Sequence, residues 1–143
     1  MGNKEINFSE EWIKIIRNDI PDGEYIVTNF VQNINGTKIM LDDGEHIVDI
    51  FFDGIPVLSR NTIEGIRMRT WGNVQLKYND KFIFRKSFFF EVKNSELIKW
   101  CVQESCEFYE NNQLKHYCIV TSEEMIDIIS TFEPIIKVTF VSK

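Results

Sequence analysis

A chain of 143 residues with 43% hydrophobic and 27% charged side chains reads as one globular domain, residues 1–143, and not as a disordered or fibrous chain. At this length about 68–70% of the extended-chain surface can be buried, so folding requires neither a disulfide nor a metal. A net charge of −6 disfavours a nucleic-acid partner for the molecule as a whole and suits a basic one.

The N-terminus lacks a cationic stretch leading into an apolar one, and no run of about 18 apolar residues occurs, so the expected location is the cytoplasm. Gly2 is a weak match to a myristoylation start, because Asn7 stands where Ser or Thr is wanted. Ser9 before Glu10-Glu11-Trp12-Ile13-Lys14-Ile15-Ile16-Arg17 combines a capping residue, early acids and a late base, which predicts a first helix ended by Pro21-Asp22-Gly23. Tyr25 to Gln32, Thr37 to Leu41 and His46 to Phe52 are rich in β-branched and aromatic residues. They are separated by Asn35-Gly36 and Asp43-Gly44, so three consecutive antiparallel strands are expected. Asp53-Gly54-Ile55-Pro56 breaks that run.

Alternation in Ile63 to Trp71 and in Val74 to Tyr78, then Phe82 to Val92 after an Asn79-Asp80 turn, predicts three further strands. Asn94-Ser95 caps a predicted helix over Glu96 to Tyr109, ended by Asn111-Asn112. Lys115 to Thr121 reads as a strand, Thr121 with Glu124 as the capping box of a helix through Ser130, and Ile135 to Val141 as a last strand. The expected fold class is α+β. It comprises a mostly antiparallel, meandering sheet of about six to eight strands, an N-terminal helix and two helices in the C-terminal half.

Catalytic chemistry needs a nucleophile, a base and an orienting group within reach. His116 and Cys118 share a strand face and form the one conceivable nucleophilic pair, in a segment that reads as buried. Cys101 and Cys106 lie about 140° apart around a helix and cannot bridge within it. Asp42-Asp43-Gly44-Glu45 lacks the alternating acids and closing glutamate of a calcium loop, so neither metal nor cofactor is expected. The 66–90 stretch interleaves Arg67, Arg69, Arg85 and Lys86 with aromatic residues, a pattern that on a sheet face can stack on RNA bases. Residues 1–59 hold four Lys/Arg against eleven Asp/Glu, a net of −7; residues 60–93 hold eight against three, a net of +5; residues 94–134 hold two against eight, a net of −6. Two acidic groups follow as candidate docking surfaces for a basic partner: Asp42, Asp43, Glu45, Asp49 and Asp53, and a helical ridge of Glu104, Glu107 and Glu110.

Several stretches together carry a family resemblance. They are Ile6-Asn7-Phe8-Ser9-Glu10-Glu11-Trp12, Asn35 through Gly44, Phe51-Phe52-Asp53-Gly54-Ile55-Pro56-Val57, Met68-Arg69-Thr70-Trp71, Lys115-His116-Tyr117, and Ile126-Asp127-Ile128-Ile129 with Glu133-Pro134. In these the chain resembles the small immunity proteins that Gram-positive bacteria encode beside contact-dependent polymorphic toxins, most of all those paired with wall-associated YD-repeat (WapA-type) toxins. The resemblance implies a non-enzymatic antitoxin that binds the C-terminal domain of its toxin, often a nuclease such as a tRNase, in a one-to-one complex. It supplies no contact residues, so the acidic candidates rest on charge alone.

Overall fold

The computed structural model describes residues 8–16 and 20–141. The chain is α+β and mostly sheet, with nine strands among the described residues forming two antiparallel sheets. The four-stranded sheet contains β2 (Ile26–Asn33), β3 (Gly36–Asp42), β4 (His46–Phe52) and β9 (Ile135–Phe140), side by side in that order. The five-stranded sheet contains β1 (Glu11–Lys14), β5 (Leu58–Ile63), β6 (Phe89–Lys93), β7 (Lys115–Val120) and β8 (Glu124–Ser130), in the order β1-β6-β7-β8-β5. Among the described residues there are three α-helices: α1 (Met68–Lys77), which continues a 3-10 turn at Glu64–Arg67; the single turn α2 (Ile83–Lys86); and α3 (Glu96–Glu104). No helix among the described residues is long and apolar enough to cross a membrane.

Period-two alternation sorts the side chains into layers. Ile39, Leu41, Val48, Ile50 and Phe52 from one sheet meet Phe89, Tyr117, Ile119, Ile126 and Ile128 from the other, which makes the main core. The opposite face of the five-stranded sheet is covered by helices. Trp12, Phe90, Cys118 and Met125 pack with Val74 of α1 and Phe84 of α2, while Ile129 packs with Ile98 and Cys101 of α3. The five-stranded sheet is therefore the middle layer, buried on both sides.

Burial on both sides explains where the sequence expectations fail. Residues 124–130 form a strand and not a helix, because Ile126 and Ile128 face one layer while Met125, Asp127 and Ile129 face the other. A continuous apolar run of this length fits a central strand as well as a helix. The Thr121 hydroxyl does accept from the Glu124 N–H, at 3.0 Å, but within the turn joining β7 to β8. The N-terminal helix is likewise replaced by β1, whose Trp12 pairs with Val92 and packs edge-on against Phe84 and Phe90. Arg17 of that predicted helix lies outside the described residues, as does the Gly2–Asn7 segment.

The strands expected at 63–71 and 74–78 are the 3-10 turn and α1. Arg67, Trp71, Val74 and Tyr78 recur at helical spacing on the side toward the sheet, where Val74 is buried, the Trp71 and Phe84 ring centroids are 4.5 Å apart, and the Tyr78 hydroxyl accepts from the Trp12 backbone N–H at 2.8 Å. Residues 83–86 form α2 before β6 begins, so the expected 82–92 strand starts late. The 96–109 helix stops at Glu104, and β5 was not anticipated at all. The three-strand meander is present, with its first turn displaced by one residue. Asn33 pairs with Gly36, and Ile34-Asn35 form the tip. Gly36 is required there, since its φ is +131° and a Cβ would lie 2.4 Å from the Phe52 carbonyl oxygen.

Candidate functional site

A row of residues crosses the helix-covered face of the five-stranded sheet in register: Phe90 on β6, Cys118 on β7, Asp127 on β8 and Arg60 on β5. The Asp127 carboxylate is fully buried. Its Oδ1 is 2.7 Å from Nε2 of His116, and its Oδ2 accepts from Nε of Arg60 at 3.0 Å and from Nη1 of Arg67. The other ring nitrogen of His116, Nδ1, lies 2.7 Å from the Ser95 hydroxyl, whose oxygen also accepts from the Ile98 N–H at the start of α3. One carboxylate thus ties together β8, β7, β5, the turn before α1 and, through His116, the cap of α3. Burial pushes the Asp127 carboxyl upward, but the His116 hydrogen bond and the charges of His116, Arg67 and Arg60 outweigh it and hold the carboxyl well below the usual carboxylate range.

Serine, histidine and aspartate in a hydrogen-bonded line have the connectivity of a hydrolytic triad. Here Ser95 and His116 are each 2% exposed and Asp127 is 0% exposed, and the serine oxygen is occupied as a helix cap. The hydroxyl is therefore a buried structural contact in this arrangement. The conceivable His116–Cys118 pair fares the same way. Both side chains lie on one face, but the two nitrogens of His116 are taken by Ser95 and Asp127. Burial and the neighbouring Asp127 push the Cys118 thiol well above its ordinary range, away from the reactive thiolate. Cys101, Cys106 and Cys118 are all unbridged.

The basic, aromatic 66–90 stretch is not the expected sheet face: most of it is α1 and α2, with Phe82 exposed beneath the Arg85 guanidinium. Phe84, Phe88, Phe89 and Phe90 are core residues, Arg67 is bound to Asp127, and Lys86 pairs with Asp80 at 2.7 Å. Arg69 and Arg85 remain on the surface.

The acidic candidates divide. At the β3–β4 turn, Asp42 Oδ1 accepts from the Gly44 N–H at 2.6 Å. Asp43 Oδ1 accepts from the N–H groups of Glu45 and His46, and its Oδ2 lies 3.0 Å from Nδ1 of His46. Burial raises the Asp43 carboxyl, but these hydrogen bonds and the His46 charge lower it by more, leaving a net downward shift. The loop holding Asp22 and Glu24 lies against this turn: Asp43 Oδ2 would be 3.8 Å from a Cβ on Gly23, and both Asp22 and Asp43 act on the Tyr25 phenol. Asp22, Asp42, Asp43 and Glu45 therefore gather at one end of the four-stranded sheet, with Lys14 on Asp22 at 2.7 Å, whereas the Glu24 carboxylate lies 3.7 Å from Arg85. Asp49 lies instead on the outer face of that sheet, 3.2 Å from Lys38, and Asp53 is exposed beyond the far end of β4.

The ridge expected for Glu104, Glu107 and Glu110 does not exist. The helix ends at Glu104, Glu107 has a left-handed backbone (φ +64°), and Glu110 precedes the 3-10 turn at Asn111–Gln113, its N–H donating to the Gln113 side chain at 2.9 Å. Sequence reasoning also missed the Asp127 cluster. A lone acid inside Ile126-Asp127-Ile128-Ile129 was the available signal, since a charge within a buried run must be paired. Its partners Arg60 and Arg67 lie 67 and 60 residues away, beyond the reach of local pattern. Comparison of the chain with family models, with curated proteins and with solved structures finds no match in any of the three.

Proposed function

We propose that this chain is a cytoplasmic immunity protein that binds the toxic C-terminal nuclease domain of a cognate contact-dependent toxin, of the tRNase kind, and neutralises it one-to-one by contact alone. The observation that carries the reading is the gathering of Asp22, Asp42, Asp43 and Glu45 at one end of the four-stranded sheet. A nuclease that holds polyanionic RNA needs a basic groove, and carboxylates fixed in place compete for it as phosphates would. Asp42 and Asp43 are fixed by backbone N–H groups of their own turn, so little side-chain freedom is lost on contact. The resemblance to immunity proteins of polymorphic toxins supports the same reading.

The test is co-expression with, and titration by, the C-terminal domain of the toxin encoded alongside this chain. Binding should weaken steeply between low and moderate salt, and the charge reversals Asp42→Lys and Glu45→Lys should slow association by about tenfold or more. Affinity indifferent to both salt and charge reversal would dismiss the acidic turn as the contact. Failure to protect cells from the toxin would dismiss the function.

A further inference from the structure

We propose that the groove between β5 and α3 is a docking site for an extended, acid-bearing segment of a partner protein, which adds to β5 as a further strand and sets a carboxylate on Arg60. Three independent features of the groove lead there.

The first is an open sheet edge. Among the described residues β5 is the last strand of its sheet, with β8 as its one neighbour. The Glu64 N–H bonds to the Glu123 carbonyl, so the alternation of an antiparallel ladder turns the backbone of Leu58, Arg60 and Thr62 toward β8. The N–H and C=O groups of Ser59, Asn61 and Ile63 consequently point outward, and Asn61 and Ile63 are exposed. Such an edge is a template for one more strand unless it is covered.

The second is a hollow beside that edge. Leu58, Ser59, Arg60, Glu96, Leu97 and Trp100 line a groove of about 500 Å³. Trp100 is 49% exposed, an unusual setting for the largest side chain on an amphipathic helix. Alternate side chains of an added strand would enter this hollow and meet the indole, while its backbone completes the ladder.

The third is charge. Arg60 and Arg67 share a single carboxylate oxygen, Oδ2 of Asp127, so two guanidinium groups meet one carboxylate here, within a chain of net charge −6. Arg60 approaches that oxygen through Nε and Nη2, both at 3.0 Å. Its Nη1 amino group makes no hydrogen bond among the described residues, and its side chain is 39% exposed at the groove. Asp127 thus holds the guanidinium in place with donors to spare for a second carboxylate. Glu96, the acid in the lining, is paired with Lys99 at 3.2 Å. A second copy of this chain fits less well, because pairing two β5 edges about Asn61 sets both Arg60 side chains on one face as diagonal neighbours. The site is separate from the acidic turn and stands whether or not the partner is a toxin.

The test uses a capped six-residue peptide of alternating valine and threonine with one central glutamate, and its counterpart with lysine in place of the glutamate. Backbone-amide and indole NMR shifts are followed on the full chain. The glutamate peptide should shift Ser59, Asn61, Ile63 and Trp100 and bind about tenfold more tightly than the lysine peptide. Arg60→Gln should erase that preference. Asn61→Pro should abolish binding of both peptides with the fold intact by circular dichroism, since it removes an outward N–H and leaves the β8 ladder untouched. Equal affinity for the two peptides, or shifts that avoid β5, would overturn the proposal. So would a dimer in sedimentation that Asn61→Pro dissociates, which would assign the edge to a second copy.

Discussion

The molecule contains two aspartate–histidine pairs, and they differ in almost everything except chemistry. Asp43 and His46 meet at 3.0 Å on one hairpin turn, three residues apart, with side chains 15% and 16% exposed. Asp127 and His116 meet at 2.7 Å between two strands, with side chains 0% and 2% exposed. In both pairs the carboxyl is lowered against the effect of its own burial. The surface pair reaches this with backbone N–H groups of the same turn, and the buried one with two arginines from distant parts of the chain. A local pair shapes a turn, whereas the long-range pair fastens strands, a turn and a helix cap to one another.

The largest expected effect follows from that difference. Removing one member of a buried charge cluster leaves the others unpaired in a poorly solvated place, at a cost on the order of 3–5 kcal/mol. Asp127→Ala should therefore lower the urea midpoint drastically, because Arg67 and His116 lose their shared acceptor. Asp43→Ala breaks hydrogen bonds in a turn that water can reach, and a loss of about 1 kcal/mol is expected. Equal losses from the two substitutions would mean that the buried cluster is already hydrated.

Acid should separate the pairs next. An unfolded aspartate titrates near ~3.9. The folded Asp127 carboxyl stays ionised well below that value, so its contribution to stability is complete above about pH 4 and is lost as the pH falls further. Asp43 has the same sign with a smaller shift. Urea midpoints measured from neutral pH downward should fall steeply below about pH 4 in the parent chain. They should fall far less steeply in Asp127→Asn, whose midpoint is already reduced at neutral pH. An acid limb unaltered by Asp127→Asn would place the acid sensitivity elsewhere.

The same contrast governs what could be read from sequence. The surface pair lies within Asp43-Gly44-Glu45-His46, and the three strands around it are rich in β-branched and aromatic residues and separated by Asn-Gly and Asp-Gly signals, so β2, β3 and β4 and their acidic turn were legible. The buried pair depends on β8, whose run Met125-Ile126-Asp127-Ile128-Ile129 is apolar on both faces and so loses the alternation that marks a strand. It depends also on Arg67, in a segment where Ile66, Met68 and Thr70 imitate alternation while tertiary packing of Trp71 and Val74 imposes a helix. Local pattern identifies elements with one dry face and one wet face. It is weakest in a middle layer with two dry faces, and that layer holds the cluster.

The smallest expected effect concerns how the surface pair reaches the core. Tyr25 is 1% exposed, packs 4.3 Å from the Phe88 ring, and donates its hydroxyl proton to the Pro21 carbonyl at 2.8 Å. Burial first, then the charges of Asp43 and Asp22, push its phenol up to about 12. An unfolded tyrosine ionises near ~10, so above that pH the unfolded chain loses a proton that the folded chain retains, and stability declines as the pH rises. Tyr25→Phe keeps the ring in the core and should make that alkaline decline shallower. Asp43→Asn should act through the same phenol without touching the ring. With one negative charge removed, Tyr25 should ionise at a lower pH, read as tyrosinate absorbance in the difference between this variant and its Tyr25→Phe counterpart. Burial is the larger cause, so most of the upward shift should remain. A phenol that titrates identically with Asp43 or Asn at that position would show that the turn does not couple electrostatically to the core, and that the two aspartate–histidine pairs act on separate parts of the molecule.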